Sequence, residues 1–372
     1  MRILQLGRFY PPALGGIETV IFEIAEGLNA NNIKCDVLCS NKTNRLDISN
    51  VGTYKVVRTP SFGHILSTSI SPVLILQLKK LVDQYDLIHL HHPDPMATLA
   101  LLLCHPKQKI VVHWHSDIIR QKVALLFYRP FQDLMLRRCD GIIVTSKNYL
   151  DTSKHLENYK HKAEVIPIGI NAEMDVNQQK LAELKAKFTN KTVIFGLGRH
   201  VYYKGFEYLI DSAQYLDDKF VIIIGGDGPL TGSLMKQAAA KGLTDKVFFT
   251  GRIPFSEIHS YFALCDIFCL SSIERTEAFG VVLLEAMSLA KPLVATNIPG
   301  SGVNWVNKES ETGLNVAPAN PEELAKAFIK ISSNPSLREK FSIQSKVRYQ
   351  TKFTRDAMVS QLIKLYSGIL KN

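Results

Sequence analysis

Disulfide and zinc frameworks are missing from this sequence of 372 residues, although it contains six cysteines. The cysteines are scattered, with no Cys-x-x-Cys pair and no His/Cys spacing of the zinc type. We therefore expect small buried hydrophobic side chains in a reducing cytosol. Long apolar runs are missing as well. The longest, such as residues 99–104, fall far short of the ~18 residues that a membrane span needs.

Nucleic-acid binding is not indicated either. The net charge of +10 is spread along the chain, and no run of Lys and Arg alternates with aromatic residues. The excess positive charge better suits an anionic substrate or an anionic lipid. Residues 1–6 form too short an apolar stretch for a signal peptide, so we expect a first strand there. The expected location is the cytoplasm, with peripheral contact at the inner face of the membrane as an open addition.

The length of the chain exceeds one typical hydrophobic core and predicts two domains. Short β-rich runs alternate with helical stretches in both halves, and the strands are almost continuously apolar, which is typical of parallel sheets covered on both faces. We predict an α/β fold with two Rossmann-like parallel-sheet domains facing across a cleft, spanning residues 1–170 and 171–352. Residues 353–372 are predicted to form a helix with one apolar face that crosses back onto the first domain.

The segment 274–288 carries the clearest ligand-binding pattern. Its carboxylates Glu277 and Glu285 are eight residues apart, and a helix is predicted to begin between them near Gly280. The free N–H groups and the positive dipole end of a helix N-terminus favour a phosphate. One elongated ligand, such as a sugar nucleotide, could place hydroxyls on both carboxylates and its phosphate on the helix. The alternative is that Glu277 caps the helix and Glu285 is a solvated helix residue.

Two strand ends of the first domain carry candidate binding residues, because ligands of parallel sheets bind beyond the carboxyl ends of the strands. Gly15 and Gly16 follow the first strand and open a helix, where the backbone can approach a phosphate or a sugar. His113 is expected to point into the sheet packing and His115 to leave the strand end. Two structural histidines are the alternative. Zinc is disfavoured because no third ligand group follows.

The first four strand ends of the second domain are expected to offer polar groups to one crevice. Arg199 and Lys204 follow its first strand, where Arg could grip a diphosphate bidentately and Lys could act as a mobile charge. Two solvated cations are the alternative. Gly226 lies in a glycine-rich turn that lacks the G-x-G-x-x-G spacing, so we interpret it as a turn of close approach. The backbone of Arg252 and Ile253 could read the edge of a base.

Taken in order, these motifs resemble those of the family-four retaining glycosyltransferases of the glycosyltransferase-B fold, over about residues 1–320. The resemblance implies that the donor sugar nucleotide binds mainly to the second domain and the acceptor to the first, with no cofactor and no divalent metal. The sequence also has no D-x-D metal motif. The motifs are Gly15-Gly16, His115-Ser116-Asp117, Arg199 with Lys204, Gly226-Asp227-Gly228-Pro229 and the E-x7-E pair.

The resemblance also implies a role for each residue. Arg199 and Lys204 would neutralise the diphosphate leaving group, as a metal does elsewhere. Glu277 would bind hydroxyls of the donor sugar, Glu285 the ribose, and His115 the donor sugar near its anomeric centre. In this family, retention is commonly described as front-face attack, in which the departing phosphate oxygen takes the acceptor's proton. The other implied donor-binding positions are Gly15, Gly16, Gly226, Arg252, Ile253, Phe279, Gly280 and Val281.

The predicted activity is retaining transfer of a hexosyl group, mannosyl being one form, from a GDP- or UDP-hexose. The predicted acceptor is a saccharide or lipid-linked saccharide in the synthesis of a bacterial surface polysaccharide. A sugar-nucleotide epimerase of the same double-Rossmann architecture and a non-catalytic sugar-nucleotide sensor remain alternatives. A nicotinamide dehydrogenase is disfavoured by the spacing of the glycines.

The predicted helix 120–138 bears on the acceptor. Basic residues interleaved with exposed apolar residues are typical of proteins that bind anionic membranes. An ordinary core helix with a solvated side is the alternative. The apolar positions are Ile119, Val123, Phe127, Phe131 and Leu134, and the basic positions are Lys122, Arg129, Arg137 and Arg138.

Overall fold

The computed structural model describes the chain except residues 14, 66–67, 120–121, 172–174 and 372, and gives only the backbone of residues 65 and 122–124. The described chain divides into two compact units. The first unit comprises Met1–Ile170 and Arg355–Asn372, and the second comprises Asn171–Thr354.

The first unit is built on an eight-stranded sheet with the spatial order β10-β9-β8-β7-β1-β2-β4-β3. All neighbours are parallel except β3 and β4, which form an antiparallel pair. The strand order reverses between β1 and β7. The strands are β1 (Arg2–Gly7), β2 (Lys34–Ser40), β3 (Asp47–Val51), β4 (Tyr54–Thr59), β7 (Leu87–His92), β8 (Lys109–Trp114), β9 (Gly141–Val144) and β10 (Ala163–Val165), with a separate pair β5 (His64–Ile65) and β6 (Thr68–Ser69).

The helices of the first unit include the last helix of the chain. The side chain of Val359 fits against Gly27 of the first helix, and Arg355 Nε lies 2.5 Å from Glu23 Oε2. The chain therefore returns to the first unit, as the sequence predicts, and the change of unit falls between Thr354 and Arg355. The helices are α1 (Gly16–Ala30), α2 (Pro72–Leu81), α3 (Pro95–Cys104), α4 (Lys122–Arg138), α5 (Lys147–Thr152) and α14 (Arg355–Lys371).

The second unit is built on a fully parallel six-stranded sheet with the order β13-β12-β11-β14-β15-β16. Counted within the unit this is 3-2-1-4-5-6, the Rossmann order, so the strand order reverses between β11 and β14. The strands are β11 (Thr192–Leu197), β12 (Phe220–Gly225), β13 (Val247–Gly251), β14 (Ile267–Leu270), β15 (Leu293–Thr296) and β16 (Gly313–Val316).

Helices cover this second sheet and close its core. Ile194 and Ile222 of the sheet pack in one buried cluster with Leu209 and Phe328. The helices are α6 (Gln178–Lys187), α7 (Phe206–Ser212), α8 (Thr231–Ala240), α9 (Phe255–Leu264), α10 (Val281–Ser288), α11 (Val303–Val306), α12 (Pro321–Ser332) and α13 (Pro335–Lys352). Two Rossmann-like parallel-sheet units thus confirm the predicted α/β class.

Capping signals in the sequence fix several helix starts. The Asn320 side chain accepts a hydrogen bond from the Glu323 N–H, and Pro321 occupies the first position of α12. Asn334 and Pro335 open α13 in the same way. Both pairs combine a side-chain acceptor with a residue that needs no N–H partner. Within the described chain, the search for a helix both long and apolar enough to cross a bilayer gives none.

Candidate active site

An ion pair connects the ends of two neighbouring strands of the second sheet. Lys204 Nζ lies 2.5 Å from Glu277 Oε2, although the two residues are 73 positions apart in sequence. Lys204 follows β11 and Glu277 follows β14, the two strands between which the strand order reverses. In open α/β sheets, this is the place where ligands bind. The structure thus brings together two residues that the sequence assigns to one site.

The ion pair is mostly buried, with 13% of the Lys204 side chain and 11% of the Glu277 side chain exposed. Burial alone would lower the pKa of Lys204, but the adjacent Glu277 carboxylate outweighs it, and the pKa of Lys204 lies above its ordinary value. Ser272 donates a second hydrogen bond, of 3.0 Å, to Glu277 Oε2. Lys204 is therefore charged at neutral pH. Among the described residues, none is hydrogen-bonded to the other carboxylate oxygen, Glu277 Oε1.

Two glycines make room for the Lys204 segment. A Cβ at Gly198 would lie 3.3 Å from Lys204 Cε, so the lysine stem lies directly over this glycine. Gly205 has a φ of +61°, and a Cβ there would meet the Ser271 carbonyl oxygen at 2.3 Å. The short turn around Lys204 therefore depends on residues without side chains.

The N-terminus of α10 lies four residues after Glu277. The helix begins at Val281, with Gly280 at the N-cap in the left-handed region, and no side chain caps it. The prediction of a helix start near Gly280 is thus confirmed. The alternative in which Glu277 caps the helix is wrong, because its carboxylate binds Lys204 and Ser272 instead. The Leu283 N–H donates to the Gly280 carbonyl at 2.9 Å, and among the described residues the N–H groups of Val281 and Val282 have no partner and are open to an anion.

Phe279 and Glu285 of the segment 274–288 differ in what they could offer to a ligand. The Phe279 ring is buried against Trp305 and Phe353, so only its backbone is available to a ligand. Glu285 is partly buried on α10, about 6 Å along the axis from Val281 at the usual rise per residue.

Arg199 lies two residues after the end of β11 and is exposed. In the described part of the chain, its guanidinium has no ion-pair partner within 4.0 Å, in contrast to Lys204. Arg252 follows β13 and is also exposed. The pKa of Asp227 lies below its ordinary value, chiefly because Thr231 and Gly228 donate hydrogen bonds to its carboxylate, and the charge of Arg252 lowers it further. Cationic groups thus follow two strands of the sheet, with the glycine-rich turn after the strand between them.

The glycine-rich turn is a turn of close approach, but the neighbour is the protein's own backbone. Gly226 has a φ of +114°, and a Cβ there would lie 1.9 Å from the Gly198 carbonyl oxygen. Ile253 is buried, and its Cδ1 would meet a Cβ at Gly225 at 2.8 Å. Packing between strand ends therefore explains this turn without a ligand.

In the first unit, the two predicted histidines lie where the sequence places them. His113 is fully buried on β8, and His115 follows the last residue of that strand and is 6% exposed. The His115 ring is stacked on that of His113, with a centroid separation of 4.1 Å, and is nearly parallel to that of His91 at 5.1 Å. His91 comes from the neighbouring strand β7, and sequence reasoning missed it. The sequence does contain a signal for His91, because His89 and His91 occupy alternate positions of an otherwise apolar strand.

These histidines supply the third ligand group that the sequence argument lacked. One ring nitrogen from each of His89, His91 and His113 lies within 4.8 Å of the others. The rings are stacked, however, with interplanar angles of 6°, 22° and 27°. Because imidazole lone pairs lie in the ring plane, stacked rings do not direct them to one tetrahedral centre. The cluster is a poor fit for a metal ion.

Gly15 and Gly16 form the exposed start of α1, again without a side-chain cap. A Cβ at Gly15 would meet the Glu18 carboxylate at 2.2 Å. Glu18 is buried and lies 3.7 Å from Arg8, which follows β1. Burial raises the pKa of nearby Asp94, which follows β7, to about 6. The sequence reasoning missed this cluster because each charge stands alone among apolar residues.

The apolar face of α4 is not a core face. Phe127, Phe131 and Leu134 are exposed, together with Leu126. Met135 and Leu136 of the same helix are buried, so an ordinary core helix with a solvated side stays an alternative, with these apolar residues on the solvated side. Arg129 and Arg137 are exposed beside them, whereas Arg138 donates to the carbonyls of Pro106 and Gln108. The side chains of Lys122 and Val123 lie outside the described residues, and Ile119 is partly buried.

Comparison with known families gives a match for each half of the chain. Residues 14–174 match the family described as Glycosyltransferase Family 4, and residues 177–348 match the family described as Glycosyl transferases group 1. The chain is 30% identical over 374 residues to the O-antigen chain mannosyltransferase C of Escherichia coli, with 100% of both chains covered. It is 32% identical to the D-rhamnosyltransferase WbpZ of Pseudomonas aeruginosa, covering 95% of this chain and 92% of that protein.

Solved structures share the fold at lower sequence identity. HepE of Anabaena, crystallised with UDP-glucose, is 19% identical with a TM-score of 0.80, and the match covers 99% of this chain and 100% of that one. Sucrose-phosphate synthase from Thermosynechococcus elongatus is 20% identical with a TM-score of 0.81, and the match covers 100% of both chains.

Proposed function

This chain belongs to the family-four glycosyltransferases of the glycosyltransferase-B fold, and on that premise we propose that it transfers a hexosyl group, with retention, from a nucleotide diphosphate sugar. The proposed acceptor is a saccharide or lipid-linked saccharide in surface-polysaccharide synthesis, in keeping with the relatives named for O-antigen mannosyl transfer and for D-rhamnosyl transfer. One observation carries the proposal. The Lys204–Glu277 pair precedes an uncapped helix N-terminus at the reversal point of a Rossmann sheet.

The second unit holds the donor in this proposal. Lys204 keeps N–H donors beyond the one that Glu277 accepts, and with Arg199 it binds the diphosphate. The open N–H groups of α10 take a phosphate oxygen. Glu277 Oε1 accepts from a sugar hydroxyl, and Glu285 accepts from the ribose. The Arg252–Ile253 backbone contacts the base, and Gly226 contributes backbone to the wall of the site.

Retention follows from front-face attack. The acceptor hydroxyl oxygen bonds to the anomeric carbon on the face from which the diphosphate departs. The bond between the anomeric carbon and the phosphate oxygen breaks, and that oxygen takes the acceptor's proton. Lys204 and Arg199 stabilise the negative charge that develops on the diphosphate, so no metal ion is needed. His115 hydrogen-bonds a hydroxyl of the transferred sugar.

The test is release of nucleoside diphosphate from GDP-mannose, UDP-glucose and UDP-galactose, with and without an acceptor saccharide. We expect acceptor-dependent release from at least one donor, unchanged by EDTA, and a product linkage with the donor's anomeric configuration by NMR. An epimerised sugar formed without acceptor would favour the epimerase, and binding without turnover would favour the sensor. Inverted product, or loss of activity with EDTA, would contradict the mechanism.

We also propose that the exposed face of α4 binds an anionic membrane. Phe127 and Phe131 supply apolar area, and Arg129 and Arg137 supply charge beside it. The face suits a lipid-linked acceptor, because it would hold the first unit at the surface where such an acceptor resides.

Sedimentation with phosphatidylglycerol vesicles tests this face. The protein should bind these vesicles, bind less in high salt, and bind neutral phosphatidylcholine vesicles poorly. Replacing both phenylalanines, Phe127→Ser with Phe131→Ser, should weaken binding at least about tenfold through lost apolar burial. Phe255→Ser removes a phenylalanine that is 81% exposed on the second unit and should change nothing. Equal binding by all three proteins would contradict the proposal.

A further inference from the structure

A chain of hydrogen bonds leads from the centre of the first sheet to His115. Gln5 lies on β1, His91 on the adjacent β7, and His115 follows β8. Gln5 Oε1 lies 2.5 Å from His91 Nε2, and His91 Nδ1 lies 2.8 Å from His115 Nε2. Gln5 and His91 are at most 1% exposed. The chain therefore connects a buried amide to the residue at the strand end.

Burial keeps both imidazoles neutral. It lowers the pKa of His115 to about 3 and that of His91 well below its ordinary value, where the neighbouring histidines add to the effect. A neutral imidazole has one N–H and one lone pair, so its two nitrogens cannot both donate. The direction of one hydrogen bond in the chain therefore sets the direction of the other.

The amide sets that direction. Gln5 Oε1 has only lone pairs, so His91 must donate to it from Nε2. His91 Nδ1 then carries the lone pair and accepts from His115 Nε2–H. This leaves the lone pair of His115 on Nδ1. Among the described residues, none is hydrogen-bonded to that nitrogen, and it is not among the fully buried unpartnered atoms.

Other side chains pack around this arrangement. Among the described residues, the buried amide nitrogen of Gln5 has no hydrogen-bond partner, and the amide oxygen is the atom that meets His91. Tyr366 of α14 hydrogen-bonds His89 Nδ1, outside this chain of hydrogen bonds. His113 is stacked between its neighbours and fixes the plane of the His115 ring. The last helix, α14, thus contributes Tyr366 to the buried layer of side chains that contains Gln5, His91 and His115.

We propose that Gln5 and His91 are positioning residues that hold His115 in the Nε2–H tautomer, so that His115 Nδ1 is a fixed acceptor for one hydroxyl of the transferred sugar. The inference deepens the proposed function and rests on it for the identity of the ligand. An acceptor nitrogen pairs with a hydroxyl donor and repels a phosphate oxygen, which has only lone pairs. The chain therefore directs His115 to the sugar and away from the diphosphate.

The tautomer can be observed without any substrate. In long-range proton–nitrogen NMR spectra of the full-length protein with labelled histidine, the signal lost in His115→Gln identifies His115. We expect His115 as the Nε2–H tautomer in the wild-type protein at pH 7.5, and loss of this single tautomer in Gln5→Leu. An Nδ1–H tautomer in the wild type, or an unchanged tautomer in Gln5→Leu, would overturn the proposal.

Donors that lack one hydroxyl test the same chain during turnover. A panel of singly deoxygenated donors identifies the hydroxyl whose removal costs activity in the wild type but not in His115→Ala. That penalty should also vanish in His91→Leu and Gln5→Leu, with kcat/KM for the full donor lowered about tenfold by the lost hydrogen bond. In His91→Asn, part of the deoxygenation penalty should return, because the asparagine side-chain oxygen can accept a hydrogen bond from His115 in place of His91 Nδ1.

His89→Leu is the matched control. It removes a fully buried, hydrogen-bonded histidine from the same face of the same strand but leaves the chain intact. The deoxygenation penalty should persist in this variant. A penalty that persists in His91→Leu too would overturn the positioning role while leaving the proposed function intact. The absence of turnover with any nucleotide sugar would instead contradict the proposed function, and the NMR result would still decide the tautomer.

Discussion

At the scale of single residues, the contact between Lys204 and Glu277 joins the ends of two neighbouring strands of the second sheet. Lys204 and Glu277 are both identified by their positions after strands, but their 2.5 Å contact depends on β11 and β14 becoming neighbours. Gly226 is identified as a residue of close approach, yet its neighbour is the Gly198 carbonyl. Gln5 and His91 were missed, because their importance lies in a contact between strands far apart in sequence.

The ion pair gives the first prediction at this scale. Lys204→Ala and Glu277→Ala should each lower kcat at least about 100-fold, because each removes charge or hydrogen bonding that the transition state uses. The double variant should lose less than the product of the two effects, since the pair acts as a unit. Steady-state rates of nucleoside diphosphate release measure all three.

Lys241→Ala is the control for this prediction. It breaks another lysine–carboxylate pair of the second unit, Lys241 Nζ to Asp211 Oδ1 at 2.6 Å, in which both side chains are more exposed. Its rate should stay near that of the wild type. Near-normal rates for Lys204→Ala and Glu277→Ala would show that the ion pair is not the site of catalysis.

At the scale of elements, apolar runs and capping residues predict most helices and strands. The missed strands lack these signals. β3 (Asp47–Val51) is mostly exposed and is held by its antiparallel pairing with β4. β16 (Gly313–Val316) has four residues, one of them the polar Asn315, and is defined by its neighbour β15. Short strands of this kind follow from tertiary pairing more than from their own sequence.

The strand-end turn of the second unit gives a prediction at this scale. Gly226→Ala should destabilise the protein by at least about 2 kcal/mol, because the residue has a positive φ and a Cβ would overlap the Gly198 carbonyl. Gly232→Ala is the matched control, since Gly232 lies in α8 with nothing within 4 Å of a Cβ. It should stabilise by roughly 0.5–1 kcal/mol. Urea denaturation followed by tryptophan fluorescence compares them, and equal stabilities would contradict the packing assignment.

At the scale of the whole molecule, most of the buried histidines among the described residues lie in the first unit. The first unit buries five histidines whose pKa values burial lowers, namely His89, His91, His92, His113 and His115. In the unfolded chain these groups titrate near pH 6.5. Below that pH, the unfolded state binds protons that the folded state does not. Stability is therefore present above about pH 6.5 and is lost as the pH falls toward 3.

The resulting prediction is an acid-labile first unit. Each buried histidine lowers the free energy of unfolding by up to about 1.4 kcal/mol per pH unit below pH 6.5. Asp94 opposes them between about pH 4 and 6, because its pKa is raised to about 6, but it is one group against five. In a Trp305→Phe variant, Trp114 reports on the first unit alone. Its melting temperature should fall markedly from pH 7.5 to pH 5, and an unchanged value would contradict the neutral state of the cluster.

Calorimetric titration of GDP and UDP into the full-length protein tests the central claim, that Lys204 and Arg199 bind the diphosphate of a nucleotide sugar. The account predicts that at least one of the two binds to the wild type. It also predicts that Arg199→Ala and Lys204→Ala each weaken this binding at least about tenfold, as the loss of a charge-assisted hydrogen bond should. Lys241→Ala should bind as the wild type does. Equal affinities for the wild type and both site variants would contradict the account.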